Sequence, residues 1–302
     1  MLKIIKATEP LTVDQIVVCL YSQPGLGKST LAFTSEAPLL FDCDKGAYRA
    51  QHRKDTVPAP DWQSIGTIQA SELAAYKTVI LDTAGRALDL LTADIGRVNP
   101  KLTRGGGALT LQGFGELKAR FGAYLRMLRT YGKDVVLIAH MDEQRNGDDV
   151  IERLDVQGGS KAEIYKVADA MGRIVIGKNG ERSIDFNPRE NSFGKNPCNL
   201  PIIPFAIDDE KCLANVIATI KERLNSQVQV ESAARSDLQD WMTVIREADT
   251  VDALNQLMPE IKKASAPVKA LATKRAHELH LAWDSGKQLW TLAPKAKEKA
   301  VA

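Results

Sequence analysis

An α/β fold with a mainly parallel sheet is predicted for the first two thirds of the chain, on three observations. Short β-branched runs alternate with helical patterns, the signature of βαβ units. One run feeds a glycine-rich turn ending in Gly27-Lys28-Ser29-Thr30, and another ends on a single carboxylate, Asp82. The 302 residues, 44% of them hydrophobic, suffice for one large core and a small appendage.

Each element follows from local pattern. Ile16–Tyr21 is a β-branched run and predicts a strand, followed by a helix from about Lys28 to Ser35. Pro38–Phe41, Thr78–Leu81 and Asp134–Ala139 predict three more strands, with helices near Arg86–Ile95 and Glu116–Arg129. Arg173–Gly177 and Arg182–Phe186 flank Asn179-Gly180, a pair suited to a type I′ hairpin turn because both positions need positive φ. Near Asn225 the chain becomes polar and small through Ala234, which reads as a linker. Ser236-Asp-Leu-Gln239 is then a capping box. Two apolar stripes follow at helical spacing, Leu238/Trp241/Met242/Ile245 and Val251/Leu254/Leu257/Met258/Ile261. The expected domains are 1–225, a nucleotide-binding core, and 226–302, a helical module whose stripes form its own core or a docking face.

The segment Ser22-Gln23-Pro24-Gly25-Leu26-Gly27-Lys28-Ser29-Thr30 has the composition and setting of a phosphate loop. Small residues let backbone N–H groups curl around a phosphate, and a helix start adds partial positive charge. Lys28 is placed to reach the β- and γ-phosphates of ATP, and the Ser29 hydroxyl to ligate Mg2+. Ser22 stands where the usual pattern opens with glycine, and serine tolerates positive φ less well. Tyr76–Asp82 reads as a buried strand ending in the Walker B acid, which also holds magnesium. AAA+ ATPases and many helicases place a glutamate just after that acid as the general base. Here the position is Thr83, so the base must come from elsewhere.

Leu40-Phe-Asp42-Cys-Asp44-Lys-Gly46 supplies it by resemblance. It is similar to the RecA-family strand whose acid–x–Glu–Gly-like end activates the attacking water. The resemblance makes Asp44 the candidate base, with Asp42 as runner-up; a turn or N-cap role suits Asp44 as well. RecA-type proteins also end the strand after Walker B with a polar sensor of the γ-phosphate, and here that residue is His140. Residues 10–205 resemble the compact RecA-like P-loop ATPases of bacteriophages that act in single-strand annealing and recombination. The resemblance implies ATP hydrolysis with Lys28, Asp44, Asp82 and His140 in the catalytic set, and annealing or strand exchange on single-stranded DNA. Alternatives with the same core are a helicase or helicase loader, and a nucleotide switch that controls assembly only. A nucleotide kinase is disfavoured, because no Arg-rich lid for a second phosphorylated substrate is evident.

In RecA relatives the loops after the third and fourth strands grip DNA. The first, Arg97–Leu109, is glycine-rich and basic, with Arg97, Lys101 and Arg104 as candidate phosphate contacts. The second, Met141–Lys161, carries six acids against three basic residues and suits a nucleotide-ordered or neighbour-contacting role instead. So few phosphate contacts give a salt slope of only about −2. Useful affinity then requires a homo-oligomer, a ring or filament, with ATP at subunit interfaces and a basic residue in trans: Lys178, Arg182, Arg189 or Lys195. A single-strand-binding protein is an expected partner. From Ile261 onward nine basic residues face three acidic ones, a tail suited to nucleic acid or to solvent. The longest apolar runs are too short for a bilayer, and four scattered cysteines show no metal or disulfide pattern. A reducing, cytoplasmic setting is expected.

Overall fold

The computed structural model describes residues 2, 4–146, 149–156, 160–206 and 208–293. The chain divides into two compact units, Val13–Leu224 and Asn225–Ala302 with Met1–Thr12.

In the first unit, β1 (Val17–Ser22), β2 (Pro38–Asp42), β4 (Thr78–Asp82), β5 (Asp134–Asn146) and β7 (Ala170–Ile176) form a parallel run. With β3 (Thr56–Pro58), β8 (Arg182–Asp185) and β9 (Ile203–Phe205), the order is β3-β2-β4-β5-β1-β7-β8-β9. Only β7–β8 and β8–β9 are antiparallel along this path. The expected mixed α/β fold with a mainly parallel sheet is therefore present. The two ends of this path are three-residue strands that each contain a proline, Pro58 and Pro204, which removes a ladder donor from the edge.

Alternation along the strands divides the core between two faces. Val17, Cys19, Tyr21, Val79, Leu81, Val135 and Leu137 pack with α3 (Ala84–Val98) and α4 (Leu111–Thr130). Val18, Leu20, Leu40, Ile80, Val136 and Ile138 pack with α1 (Lys28–Ala32) and the first turns of α6 (Cys212–Glu247), through Leu213, Val216, Ile217 and Ile220. Two shorter helices, α2 (Gln63–Gly66) and α5 (Ser160–Val167), complete this unit. All four cysteines are buried thiols, and burial pushes Cys19 and Cys43 each up to about 12.

Four expectations are corrected. α1 stops after five residues, short of Ser35. The strand expected to end at Ala139 continues as β5 to Asn146 and returns as β6 (Asp149–Leu154), so the first part of the expected loop is a hairpin. Gly147, Asp148 and residues 157–159 of that loop lie outside the described residues. The β7–β8 turn is not type I′: Gly180 has φ 82 but Asn179 is not at positive φ. Gly180 N donates to Gly177 O at 3.0 Å, and Gly177 N to Glu181 O at 2.8 Å. This is a type I turn closed by a left-handed glycine. Finally, the linker and capping box read at 225–239 lie inside the 36-residue α6. The segment holds Ala, Gln, Glu and Ser but no Gly or Pro, so nothing in it breaks a helix.

The second unit contains the rest of α6, α7 (Val251–Ile261), α8 (Ala266–Glu278) and an unexpected hairpin of β10 (Leu281–Asp284) and β11 (Leu289–Leu292). The expected stripes serve its own core except at Met242, which is exposed: Ile245, Leu254, Met258 and Ile261 are buried, with Leu238, Trp241, Val251 and Leu257 packed on them. Lys295, Lys297 and Lys299 of the basic tail lie outside the described residues. Among the described residues no helix is long and apolar enough to cross a membrane.

Gly172 on β7 tests how tightly the sheet packs. A Cβ there falls 2.6 Å from Ile184 Cγ2 and 3.0 Å from the Phe186 ring. Gly172→Ala is expected to cost about 1–3 kcal/mol. It should appear as a lower urea midpoint with an unchanged slope.

Candidate functional site

Strand register gathers the sequence-predicted residues. Ser22 on β1 pairs with His140 on β5, Asp82 on β4 with Ile138 on β5, and Asp42 on β2 with Asp82. Parallel strands must all present the same end to one side. The carboxyl ends of β2, β4, β5 and β1 therefore converge, where α/β sheets bind ligands. A cavity of about 630 Å3 opens there, lined by Pro24, Gly25, Gly27, Lys28, Ser29, Thr30, Asp44, Asp82 and His140. Its size suits a small-molecule ligand.

The loop after β1 turns tightly on Gly25 (φ 81) and Gly27 (φ 89), both in the left-handed region that glycine tolerates. Ser22 is the last strand residue and is not at positive φ, so serine fits where glycine is usual. Its hydroxyl lies 3.2 Å from Lys28 Nζ, which also donates to Ser22 O at 3.1 Å and Gln23 O at 2.8 Å. Leu31 N to Gly27 O is the first bond of α1. The N–H groups of Lys28, Ser29 and Thr30 thus have no intrahelical acceptor. A helix of five residues adds little dipole, so the loop's own amides and Lys28 supply the positive potential. Gln23 leaves the loop outward and donates to Glu143 at 2.6 Å.

Burial sets the electrostatics. Lys28 is pushed down to about 8 by desolvation, against the pull of Asp82 and Asp44. Asp82 is pushed up to about 6, chiefly by burial and further by Asp42 and Asp44, while the Ser29 hydrogen bond and Lys28 oppose the rise. The Ser29 hydroxyl donates to Asp82 Oδ2 at 2.6 Å, so two oxygen ligands stand side by side. Such a pair fits Mg2+, a hard cation that keeps phosphate and water in its remaining positions. Among the described residues no cluster of three or more His, Cys, Asp or Glu forms a fuller cage.

The two candidate bases part company. Asp42 is committed to structure: its carboxylate accepts from Gly46 N at 2.9 Å and Ala47 N at 3.2 Å, holding the turn after β2. Asp44 lines the cavity, with Arg86 Nε 3.3 Å from Oδ1 and His140 Nε2 3.6 Å from Oδ2. Burial and Lys28 lower His140, with Asp44 pulling the other way, so the ring is neutral near pH 7. Thr83, where other ATPases place a glutamate, caps α3 by accepting from Arg86 N at 3.4 Å.

The structure adds residues to the cavity that the sequence reading placed elsewhere or missed. Arg182, a trans candidate, lines the cavity of its own chain, with Nη1 3.1 Å from an ideal Cβ at Gly27. Arg49 lines it as well and had no sequence signal. Of the other trans candidates, Arg189 pairs with Asp185, Lys195 donates to Ala168 O, and Lys178 is exposed at the β7–β8 turn. Of the DNA candidates, Arg97 is tied to Asp94 at 2.7 Å, whereas Lys101 and Arg104 are exposed. Their loop is closed by the Thr103–Leu109 bridge and by Arg104 N to Ala108 O at 2.7 Å, a compact turn rather than an open strap.

A family model described as an AAA domain matches residues 14–198, a span that contains every cavity residue named above. No curated protein matches the chain.

The desolvated Asp82 gives a stability prediction. Its carboxyl binds a proton more tightly in the folded chain than at its ordinary 3.8, so stability falls as pH rises from about 4 to about 6. Asp82→Asn keeps an acceptor for Ser29 and removes the buried charge. It is expected to stabilise the protein at pH 7 by about 2 kcal/mol, with the gain gone at pH 4 in paired urea melts.

Proposed function

Because the chain belongs to the AAA domain family and is therefore a nucleotide-binding P-loop ATPase, we propose that it uses magnesium-dependent ATP hydrolysis to work on single-stranded DNA. The supporting observation is the convergence of Lys28, Ser29, Asp82, Asp44 and His140 on one cavity at the carboxyl end of the sheet.

In this reading the loop from Ser22 to Thr30 cradles the triphosphate, and Lys28 reaches its β- and γ-phosphates. Ser29 and Asp82 hold Mg2+, which supplies charge neutralisation on the phosphate oxygens. Asp44 takes the proton of the attacking water. Its two neighbours fix it, Arg86 from the start of α3 and His140 from β5. Nδ1 of His140 is buried, so the single N–H of the neutral ring serves from Nε2: it faces Asp44 before the nucleotide binds and turns to the γ-phosphate once the triphosphate is there, a sensor that adds no charge. Arg182 stabilises phosphate charge from within the same chain, which removes the need for a trans arginine at that position.

The DNA part rests on the resemblance to phage annealing and recombination ATPases, and on one spatial fact. Helix α3 starts beside Asp82 and ends beside the loop carrying exposed Lys101 and Arg104. A single rigid element of about 22 Å thus joins nucleotide chemistry to a basic loop. With so few phosphate contacts per chain, affinity comes from several chains side by side, in a ring or filament. The work done is annealing or strand exchange, aided by a single-strand-binding protein.

Lys28→Ala is expected to abolish turnover. Asp44→Asn should lower kcat at least ~100-fold while leaving nucleotide affinity within about threefold. Both follow from phosphate release measured with and without oligo(dT), scored beside annealing of complementary oligonucleotides. Turnover that survives in Asp44→Asn removes the assigned base. Turnover indifferent to DNA removes the DNA reading, and strand separation on a forked duplex replaces annealing with helicase work.

A further inference from the structure

The second unit carries a cleft that ATP chemistry does not use. It measures about 390 Å3, with a floor of Met258, Ile261 and Ala272. One wall is the β10–β11 hairpin, whose register sets Trp283 opposite Trp290. Their ring centroids lie 5.1 Å apart with planes at 70°. Trp290 is 7% exposed and Trp283 37%, so one indole is fixed in the core while the other keeps part of its ring in water.

The charged groups of the cleft share one sign. Lys262 and Lys269 line it, and among the described residues no carboxylate does. Lys262 Nζ stands 5.8 Å from the Trp283 ring centroid and makes a long bond, 3.4 Å, to Gln288 O. The Trp290 indole N–H is buried without an acceptor among the described residues, which is costly for a polar group. Gln288 and Thr273 already spend their donors on Ser285 O and Lys269 O. The cleft thus presents two ammonium donors, with the Gln288 amide oxygen and the Thr273 hydroxyl oxygen as its side-chain acceptors. The complementary ligand is anionic, rich in acceptors and flat enough to lie on an indole. A peptide chain brings an N–H with every carbonyl and finds few acceptors here.

We propose that this cleft is a single-stranded nucleic-acid site, in which a base stacks on Trp283 and the flanking phosphates pair with Lys262 and Lys269. Aromatic platforms beside lysines bind single strands with little sequence preference, because every base has a π-face. The proposal rests on the DNA reading above and adds a contact on a different unit from the Arg97–Leu109 loop. Aromatic rings at both hairpin positions are then a functional feature as well as a packing one.

The test uses the full chain and anisotropy of labelled oligo(dT). Trp283→Ala is expected to weaken binding ~10-fold, and Trp283→Phe, which keeps a ring, by less than about threefold. Replacing both lysines by glutamine should make the salt slope shallower by about 1.4, at about 0.7 per phosphate. ATP turnover without DNA is expected to be unchanged in all three. Because the lysines are exposed, the double lysine variant decides if Trp283→Ala proves unstable. Wild-type affinity in both the Trp283→Ala and the double lysine variants overturns the cleft and leaves the DNA reading standing. No binding of oligo(dT) by the wild-type chain removes both. An acidic peptide carrying an aromatic residue that binds the wild-type chain but not Trp283→Ala, and that leaves labelled oligo(dT) bound, assigns the cleft to a protein partner and overturns the proposal.

Discussion

The parallel register of β2, β4, β5 and β1 is the constraint on which the site depends. Strands running the same way must present the same end to one side: β1, β2 and β4 end in Ser22, Asp42 and Asp82, and the parallel part of β5 ends at His140. Asp42 spends its carboxylate on the turn that presents Asp44. Asp82 meets the Ser29 hydroxyl, and His140 stands next to Asp44. Were any strand to slip by one residue, its apolar side chains would turn to the other face and its terminal group would leave the cavity. The two apolar clusters on either side of the sheet therefore fix the chemistry as well as the fold.

Burial then gives these groups unusual energetics. Lys28 and Asp82 are 5% exposed, and each is shifted toward its neutral form by desolvation. A phosphate-bearing ligand with a divalent cation offers both groups a partner of opposite charge. The cost of holding them dry is the counterpart of the affinity they lend, a common feature of sites organised before the ligand arrives. Arg182 and Arg49 add cationic groups that reach the cavity from β8 and from the turn after β2.

The legible parts of the sequence were those where one physical rule acts alone. β-branched runs buried on both faces announced β1, β4 and the first half of β5, and Gly25 with Gly27 announced the loop. Helices expected near Arg86–Ile95 and Glu116–Arg129 are α3 and α4, which begin earlier, at Ala84 and Leu111, behind the caps Thr83 and Thr110. The misses were segments where tertiary pairing overrides composition. Met141–Asn146 is polar and acidic, yet it pairs with β6 as a ladder. Strands β3 and β9 are too short to show a period, and both contain proline. The polar stretch after Asn225 lacks apolar spacing but also lacks a breaker, and helix formation wins. Arg182 illustrates the limit for sites: the sequence lists it among basic residues, and only the β7–β8 pairing turns it toward Gly27.

Affinity for a graded series of nucleotides probes the central claim most directly, because the loop grips phosphates rather than the base. Calorimetric titration of the full chain with a non-hydrolysable ATP analogue, ADP and AMP, each with and without Mg2+, separates the contributions. The expected result is one site per chain, tightest for the triphosphate with Mg2+, weaker for ADP, and undetectable for AMP. Equal binding of all three, or no binding of the triphosphate with Mg2+ present, would contradict the account.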